Sequence, residues 1–403
     1  MIQASIPLVL LLALSLLFPG TARGDDDNRK DVTVRCDRGQ TIGEALAHHK
    51  GPLTLRIVGV CDEFVAIDRN DVSLVAGGPL AGIHGPDVSA DTVAVTGDRF
   101  LLDGLTVTGG RNAVVLTSGG RAILRNCAIR SEGSGIVGGI GIFFRQGGNG
   151  LVDGCDSSGN RSDGLALDAA IATIVNSRFT TNGRAGILVF HGSTARIGLS
   201  DALTVAGNVI NSNASNGIHV TVGSQALIAG NTVSGNGTSP AGAFGRFGVT
   251  AFHSRVNLIG GNTITNNFGA GVAIIASTGL LGDAGFGLPT NNIVSGNSTA
   301  VSSQGVNVLF NSTIVLRNAT IENNNGTGVA LSGRSVATVA SSTVRGHTNN
   351  GVLLSQGSAA IFQPLLPLTV LTGNSPFDLK CLDAESSFTG PIADGAAVDC
   401  TGF

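Results

Sequence analysis

One short motif recurs along this chain and dictates what it can fold into. An apolar residue, two variable positions and an asparagine are followed, after a spacer, by glycine and an apolar-x-apolar triplet. Phe179-Thr-Thr-Asn182 precedes Gly186-Ile-Leu-Val, and Val233-Ser-Gly-Asn236 precedes Gly248-Val-Thr-Ala. Aligned on this motif, the asparagines are Asn160, Asn182, Asn213, Asn236, Asn267, Asn297, Asn324 and Asn374, with His347 filling the gap before the last. Successive spacings are 22, 31, 23, 31, 30, 27, 23 and 27 residues. A repeat of that period is the mark of a solenoid, in which each coil buries its apolar face only against its neighbours.

Length alone, 403 residues, would suggest about two or three globular domains. The repeat overrides that, because a solenoid grows by adding coils rather than by dividing its core. Sixty glycines, with abundant Val, Ile, Thr and Asn, describe short strands joined by tight turns. After each repeat glycine the first and third residues are apolar and point inward, since side chains alternate along a strand. They are Leu165 and Leu167, Ile187 and Val189, Ile218 and Val220, Val249 and Ala251, Val272 and Ile274, Val306 and Val308, Val329 and Leu331, Val352 and Leu354. Stacked coil on coil, these pairs form aliphatic ladders through a core.

The fold class read from this pattern is all-β: a right-handed parallel β-helix solenoid of about a dozen coils with a short N-terminal capping helix. Three strand segments in a coil of this length favour the three-faced, right-handed kind. Residues 53–374 form the β-helix and 375–403, where the motif fades, form a C-terminal cap. Residues 24–52 supply an N-terminal strand and the helix, which starts at the capping-box pattern Thr41-Ile-Gly-Glu44 and covers the bare edge of the first coil.

The Gly-apolar-x-apolar strand, the Gly-Asn-Thr-Val-Ser-Gly-Asn236 turn and the amphipathic N-terminal cap resemble the right-handed parallel β-helix proteins of the pectate-lyase-like superfamily. The resemblance covers about residues 31–400. It is specific for fold and unspecific for chemistry, because lyases, hydrolases, epimerases, adhesins and binding modules share it. It implies a polysaccharide or cell-surface glycan as partner, held along an outer strand face.

On that face lie the second and fourth residues after each glycine, and their polar members gather between Gly141 and His253. Arg145, Phe190, His219, Phe252 and His253 are the expected substrate-binding residues. Arg145 suits a uronate or sulfate, and the phenylalanines offer stacking platforms. Asp168, His191 and His219 are the candidates for proton transfer at neutral pH. Insertions at 192–204, 237–246 and 277–289 are expected to bracket these coils. A solvated strand face is the plain alternative.

Known chemistries of the fold fit poorly. Lysine occurs only at Lys30, Lys50 and Lys380, so the repeat body has no such base. Arg161-Ser-Asp163-Gly164 matches only the end of a polygalacturonase-like acidic motif, at an ordinary turn position, without a second placed carboxylate. The chain has no Tyr, which epimerase-like chemistry uses, and no Trp. The reading is therefore an exported, non-catalytic scaffold or polysaccharide-contact module. A polysaccharide lyase or glycoside hydrolase with an unrecognised site is the alternative. No cofactor is expected; calcium lacks a ligand cluster, and His191, His219 and His253 are spaced too widely for a metal site.

The ends and cysteines bear on location. Residues 1–23 read as a signal peptide, with a largely apolar run of 13 residues from Ile6 to Phe18 and small residues at Gly20 and Ala22. An uncleaved anchor is the alternative, and no later stretch is apolar enough to span a bilayer. A secreted or periplasmic location follows. Net charge of −3 without a basic stripe argues against nucleic acid. Three neighbouring cysteine pairs are expected as disulfides: Cys36 with Cys61, Cys127 with Cys155, and Cys381 with Cys400. For the middle pair, two free thiols in the core are the alternative.

Overall fold

The computed structural model describes residues 29–133, 138–239, 245–282, 291–299, 303–393 and 395–400. The expected signal peptide, 1–23, lies outside them. Over the described residues the chain winds through three long faces, and every strand pairing is parallel. Sheet I stacks fifteen strands from Lys30–Arg35 to Ser387–Thr389, and sheet II fourteen from Val65–Ile67 to Val398–Asp399. Sheet III is a run of four strands and a run of eight, linked by single bridges from Ala128 to Asp156 and from Asp156 to Arg178.

One coil shows the path: Ile187–Phe190 in sheet II, Thr194–Ile197 in sheet I, Val209–Asn211 in sheet III, then Ile218–Thr221 in sheet II again. This is a parallel β-helix, with fifteen and fourteen strands stacked on its two longer faces, and the less regular coils before Gly141 belong to the same stack. After 374 the chain continues the stack. Leu379–Cys381 pairs with Val352–Leu354 and Ser387–Thr389 with Ala359–Phe362, adding a further coil.

All eight inward pairs read from the motif are at most 2% exposed and belong to one continuous core. Three corners close each coil, and each carries a hydrogen-bonded ladder. At the corner between sheets III and II, the backbone N–H and side-chain amide of each asparagine from Asn160 to Asn297 both donate to the next asparagine's Oδ1, at 2.8–3.1 Å. His347 takes its turn as a rung: its Nδ1 accepts from the Asn324 N–H and its own N–H donates to Asn374 Oδ1. The repeat glycine follows from the same geometry. A Cβ at Gly217 would stand 2.8 Å from Asn236 Nδ2 and 2.7 Å from the Gly248 carbonyl, so only glycine lets the amide seat there.

The other two ladders were legible in the spacing but not read from it. Between sheets II and I, backbone N–H groups donate coil to coil onto the hydroxyls of Ser193, Ser224, Ser254, Ser277, Ser312, Ser335 and Ser358. Between sheets I and III, Ser177 donates to Asn208, and Asn208, Asn231, Asn262 and Asn292 repeat the asparagine pattern.

The capping helix spans Ile42–His48, and Thr41 Oγ1 accepts from the Glu44 N–H. Glu63, from the following coil, accepts from the Ile42 and Gly43 N–H groups. Cys36 is bonded to Cys61, and Cys381 to Cys400. The middle pair corrects the expectation: Cys127 and Cys155 are free, buried thiols. They stack in register as expected, but each thiol turns back to a carbonyl two residues earlier in its own coil, Arg125 O and Asp153 O. The neighbouring Cys155 thiol, together with burial, raises the Cys127 pKa.

Candidate functional site

The outer face of sheet II is not a bare strand face. Within the outward columns, Phe143, Ala166, Leu188, Thr250 and Ala273 are buried rather than solvated. The segments joining sheet III to sheet II stand up beside the strands as a wall, and between wall and strands runs a cleft of about 850 Å³. It extends from Arg111 and Asn112 to Ile275, across seven stacked coils, which is about 29 Å along the axis.

Its floor is the outward column. Phe143, Leu188 and Phe190 join Ile140 in an apolar cluster separate from the core. Farther along, Thr250 and the 41% exposed Phe252 continue the surface. Arg145 lies over the Phe143 ring at 5.0 Å and faces Asp168 at 4.0 Å. The other Asp168 oxygen bonds His191 Nδ1 at 2.8 Å. The structure thus brings together Arg145, Asp168, Phe190, His191, His219 and Phe252 along one cleft.

His191 and His253 differ from their expected placement. They do not extend their strands but occupy left-handed corners, with φ of 54° and 48°. His191 still reaches the cleft, whereas His253 is outside its lining and packs edge-on against Phe252.

The wall is what the sequence reading missed. It comes from the residues just before the repeat glycines, of which Ile140, Asp163 and Phe247 line the cleft, with Asn112 in the equivalent place and Ala185 and Asn216 continuing the column. Asn112 Oδ1 accepts from the Ile140 N–H, Asp163 Oδ1 from Ala185 and Asn216 Oδ1 from Phe247, so the wall has a short ladder of its own. Asp163, read as an ordinary turn residue, is 1% exposed and lines the cleft. Burial raises its carboxyl pKa, opposed by Arg184 at 3.5 Å. His219 faces the same region, and burial with the nearby Arg184 charge lowers its pKa to about 4, so the ring is neutral at neutral pH.

The insertions divide between faces. The 237–246 segment lies on the cleft side, with Gly245 in the lining; 240–244 lie outside the described residues. The 192–204 insertion lies against sheet I instead, packing Leu199 against Ala229 and Ile259, because its extra residues follow the sheet I strand Thr194–Ile197 and precede the sheet III strand Val209–Asn211. Of 277–289, Thr278–Gly282 is a sheet I strand and 283–289 lie outside the described residues. Among the described residues, no group of three or more His, Cys, Asp or Glu side chains is placed to hold a metal ion. No described helix is long and apolar enough to cross a membrane.

Stacked parallel coils with ladders at their corners define the class of protein. The family described as right handed beta helix region matches residues 83–233 and 223–364, and the chain belongs to that family. No curated protein matches in sequence. Among solved structures, the chain is similar to the Azotobacter vinelandii mannuronan C-5 epimerase AlgE6 A-module, with 17% identity and a TM-score of 0.49, covering 87% of this chain and 92% of that one. It is also similar to the Dettilon tailspike protein, with 15% identity, a TM-score of 0.42, and 79% and 62% covered. Pectate lyase Pel9A follows with 13% identity, a TM-score of 0.38, and 74% and 78% covered.

Proposed function

We propose that this chain is an exported β-helix that holds a polysaccharide or cell-surface glycan in the cleft over sheet II, as a contact module without chemistry of its own. One observation carries the reading: phenyl rings and hydrogen-bonding side chains alternate along a single open channel seven coils long. An extended glycan presents C–H faces and hydroxyl edges in a comparable alternation. Phe143, Phe190, Phe247 and Phe252 offer apolar surfaces, and Arg145, Asp168, His191 and His219 offer donors and acceptors. Two disulfides suit an oxidising, extracellular or periplasmic setting. Affinity electrophoresis of purified protein in gels containing polysaccharides tests the proposal. Retardation by at least one polymer is expected, and it should be lost in a combined F190A/H219A/F252A variant; equal retardation of the two proteins would remove the cleft from consideration.

The hydrogen bond between His191 and Asp168 favours a second reading, in which the cleft cleaves what it binds. An imidazole oriented by a carboxylate at 2.8 Å, beside Arg145, is a proton-transfer arrangement. Screening uronic-acid polymers and neutral glycans for released ends, with and without calcium, decides between the readings. Products that disappear in D168A would establish the enzyme.

A further inference from the structure

We infer that the cleft takes a neutral glycan rather than a polyuronate, with His219 and Thr250 receiving an uncharged sugar hydroxyl at its floor. This rests on the glycan-contact reading above and specifies its ligand class. The expectation from sequence was that Arg145 would meet a uronate or sulfate. The structure gives each arginine lining the cleft a carboxylate partner within the protein. Arg111 is bidentate on Asp91, with both contacts at 3.0 Å, Arg184 faces Asp163 at 3.5 Å, and Arg145 faces Asp168 at 4.0 Å. Two of those carboxylates, Asp163 and Asp168, themselves line the cleft. A polymer carrying a charge on every sugar would have to lay carboxylates beside them, against positive charge already engaged.

Arg145 Nε makes no hydrogen bond among the described residues beyond its 4.0 Å approach to Asp168, and among the uncharged groups of the lining Thr250 and His219 also lack a partner there. Thr250 is 3% exposed, and its hydroxyl has no hydrogen-bond partner among the described residues. Unpaired buried hydroxyls are costly in a folded protein and commonly mark a place for a missing partner. His219 is its register neighbour on the preceding coil, with no ion pair or hydrogen bond among the described residues. Burial keeps its ring neutral, so it offers one donor and one acceptor rather than a charge. A hydroxyl seated between them satisfies both, while Phe247 and Phe252 flank the same stretch for the sugar's C–H face. An anionic oxygen gains less there, because a neutral imidazole attracts it weakly.

The test uses the full chain against soluble neutral glucans and mannans and against polygalacturonate and alginate, each at low and high salt. Binding to a neutral polymer that is insensitive to salt is expected. T250V, which keeps the side-chain shape, should weaken it about tenfold, while T250S restores it. Melting curves and circular dichroism of each variant establish that it is folded. Binding confined to anionic polymers and lost at high salt would overturn the inference while leaving the glycan-contact reading in place. Unchanged binding by T250V would overturn the assigned floor. Absence of binding to every polymer would overturn both readings.

Discussion

At the scale of single residues, stability is set by amides that work twice. The Asn236 side chain accepts from the N–H and Nδ2 of Asn213 and donates to Asn267 Oδ1 and to the Ile210 carbonyl, all in fully buried surroundings. N236A leaves these partners unpaired where water does not reach them. A loss of about 2–4 kcal/mol is expected from that desolvation, measurable by denaturant unfolding, with glycan binding unaffected. His347 adds a pH dependence. Its Nδ1 accepts from the Asn324 N–H and its Nε2 donates to the Ile321 carbonyl, so the ladder holds the neutral ring, and burial lowers its pKa. The unfolded chain takes up a proton near the ordinary value of 6.5 while the folded chain resists it. Stability from this residue is therefore present above pH 6.5 and is lost as pH falls below it. H347N restores an asparagine rung and removes the proton, so its melting temperature should exceed the wild type's increasingly as pH drops from 7 toward 5.

At the scale of strands and corners, much was visible in the residues. Period-two alternation after a fixed glycine can only be a strand with one buried side, and the eight inward pairs follow from it. The cap was visible for the same reason: Thr41 and Glu44 bracket a helix start. Its second support was not, because Glu63 reaches the Ile42 and Gly43 N–H groups across 20 residues or more of chain, a contact no local pattern announces. E63A should cost about 1–2 kcal/mol and loosen the first coil, seen as faster amide exchange over 42–48 with the later coils unchanged. The cleft wall escaped for a related reason. Ile140, Asp163, Asn216 and Phe247 differ in chemistry and share only a place before the glycine, and that column becomes a surface only once coils are stacked. Phe190 and Phe252 could be placed on the right face beforehand because their strands are regular. His253 could not, since the left-handed corner turns its side chain away from the line of the strand.

At the scale of the whole molecule, the principal asparagine ladder has a direction. In each of its asparagine–asparagine steps the donors belong to the earlier coil and the acceptor to the later one, so the hydrogen bonds all point toward the C-terminus. Such a series cannot end on another amide without leaving donors bare. It ends on Asp378, whose Oδ1 accepts from both the N–H and Nδ2 of Asn374, while Oδ2 accepts from the Ala397 N–H. The serine ladder closes likewise, with the Ser386 hydroxyl donating to Asp383. A carboxylate is the group that can finish such a line, being able to receive and having nothing to give. D378N would set an amide donor against the Ala397 N–H, and the expected result is early proteolytic release of the last coil at native conditions, with the body intact. Seen this way the ladder is vectorial: a chain shortened from its C-terminal end leaves the amide donors of the last rung unanswered, whereas one shortened from the N-terminal end bares an asparagine Oδ1 together with the side-chain donor that reached back to the lost coil, as Asn236 Nδ2 reaches the Ile210 carbonyl. The two ends of this ladder are chemically unlike, and the C-terminal one is closed by a carboxylate.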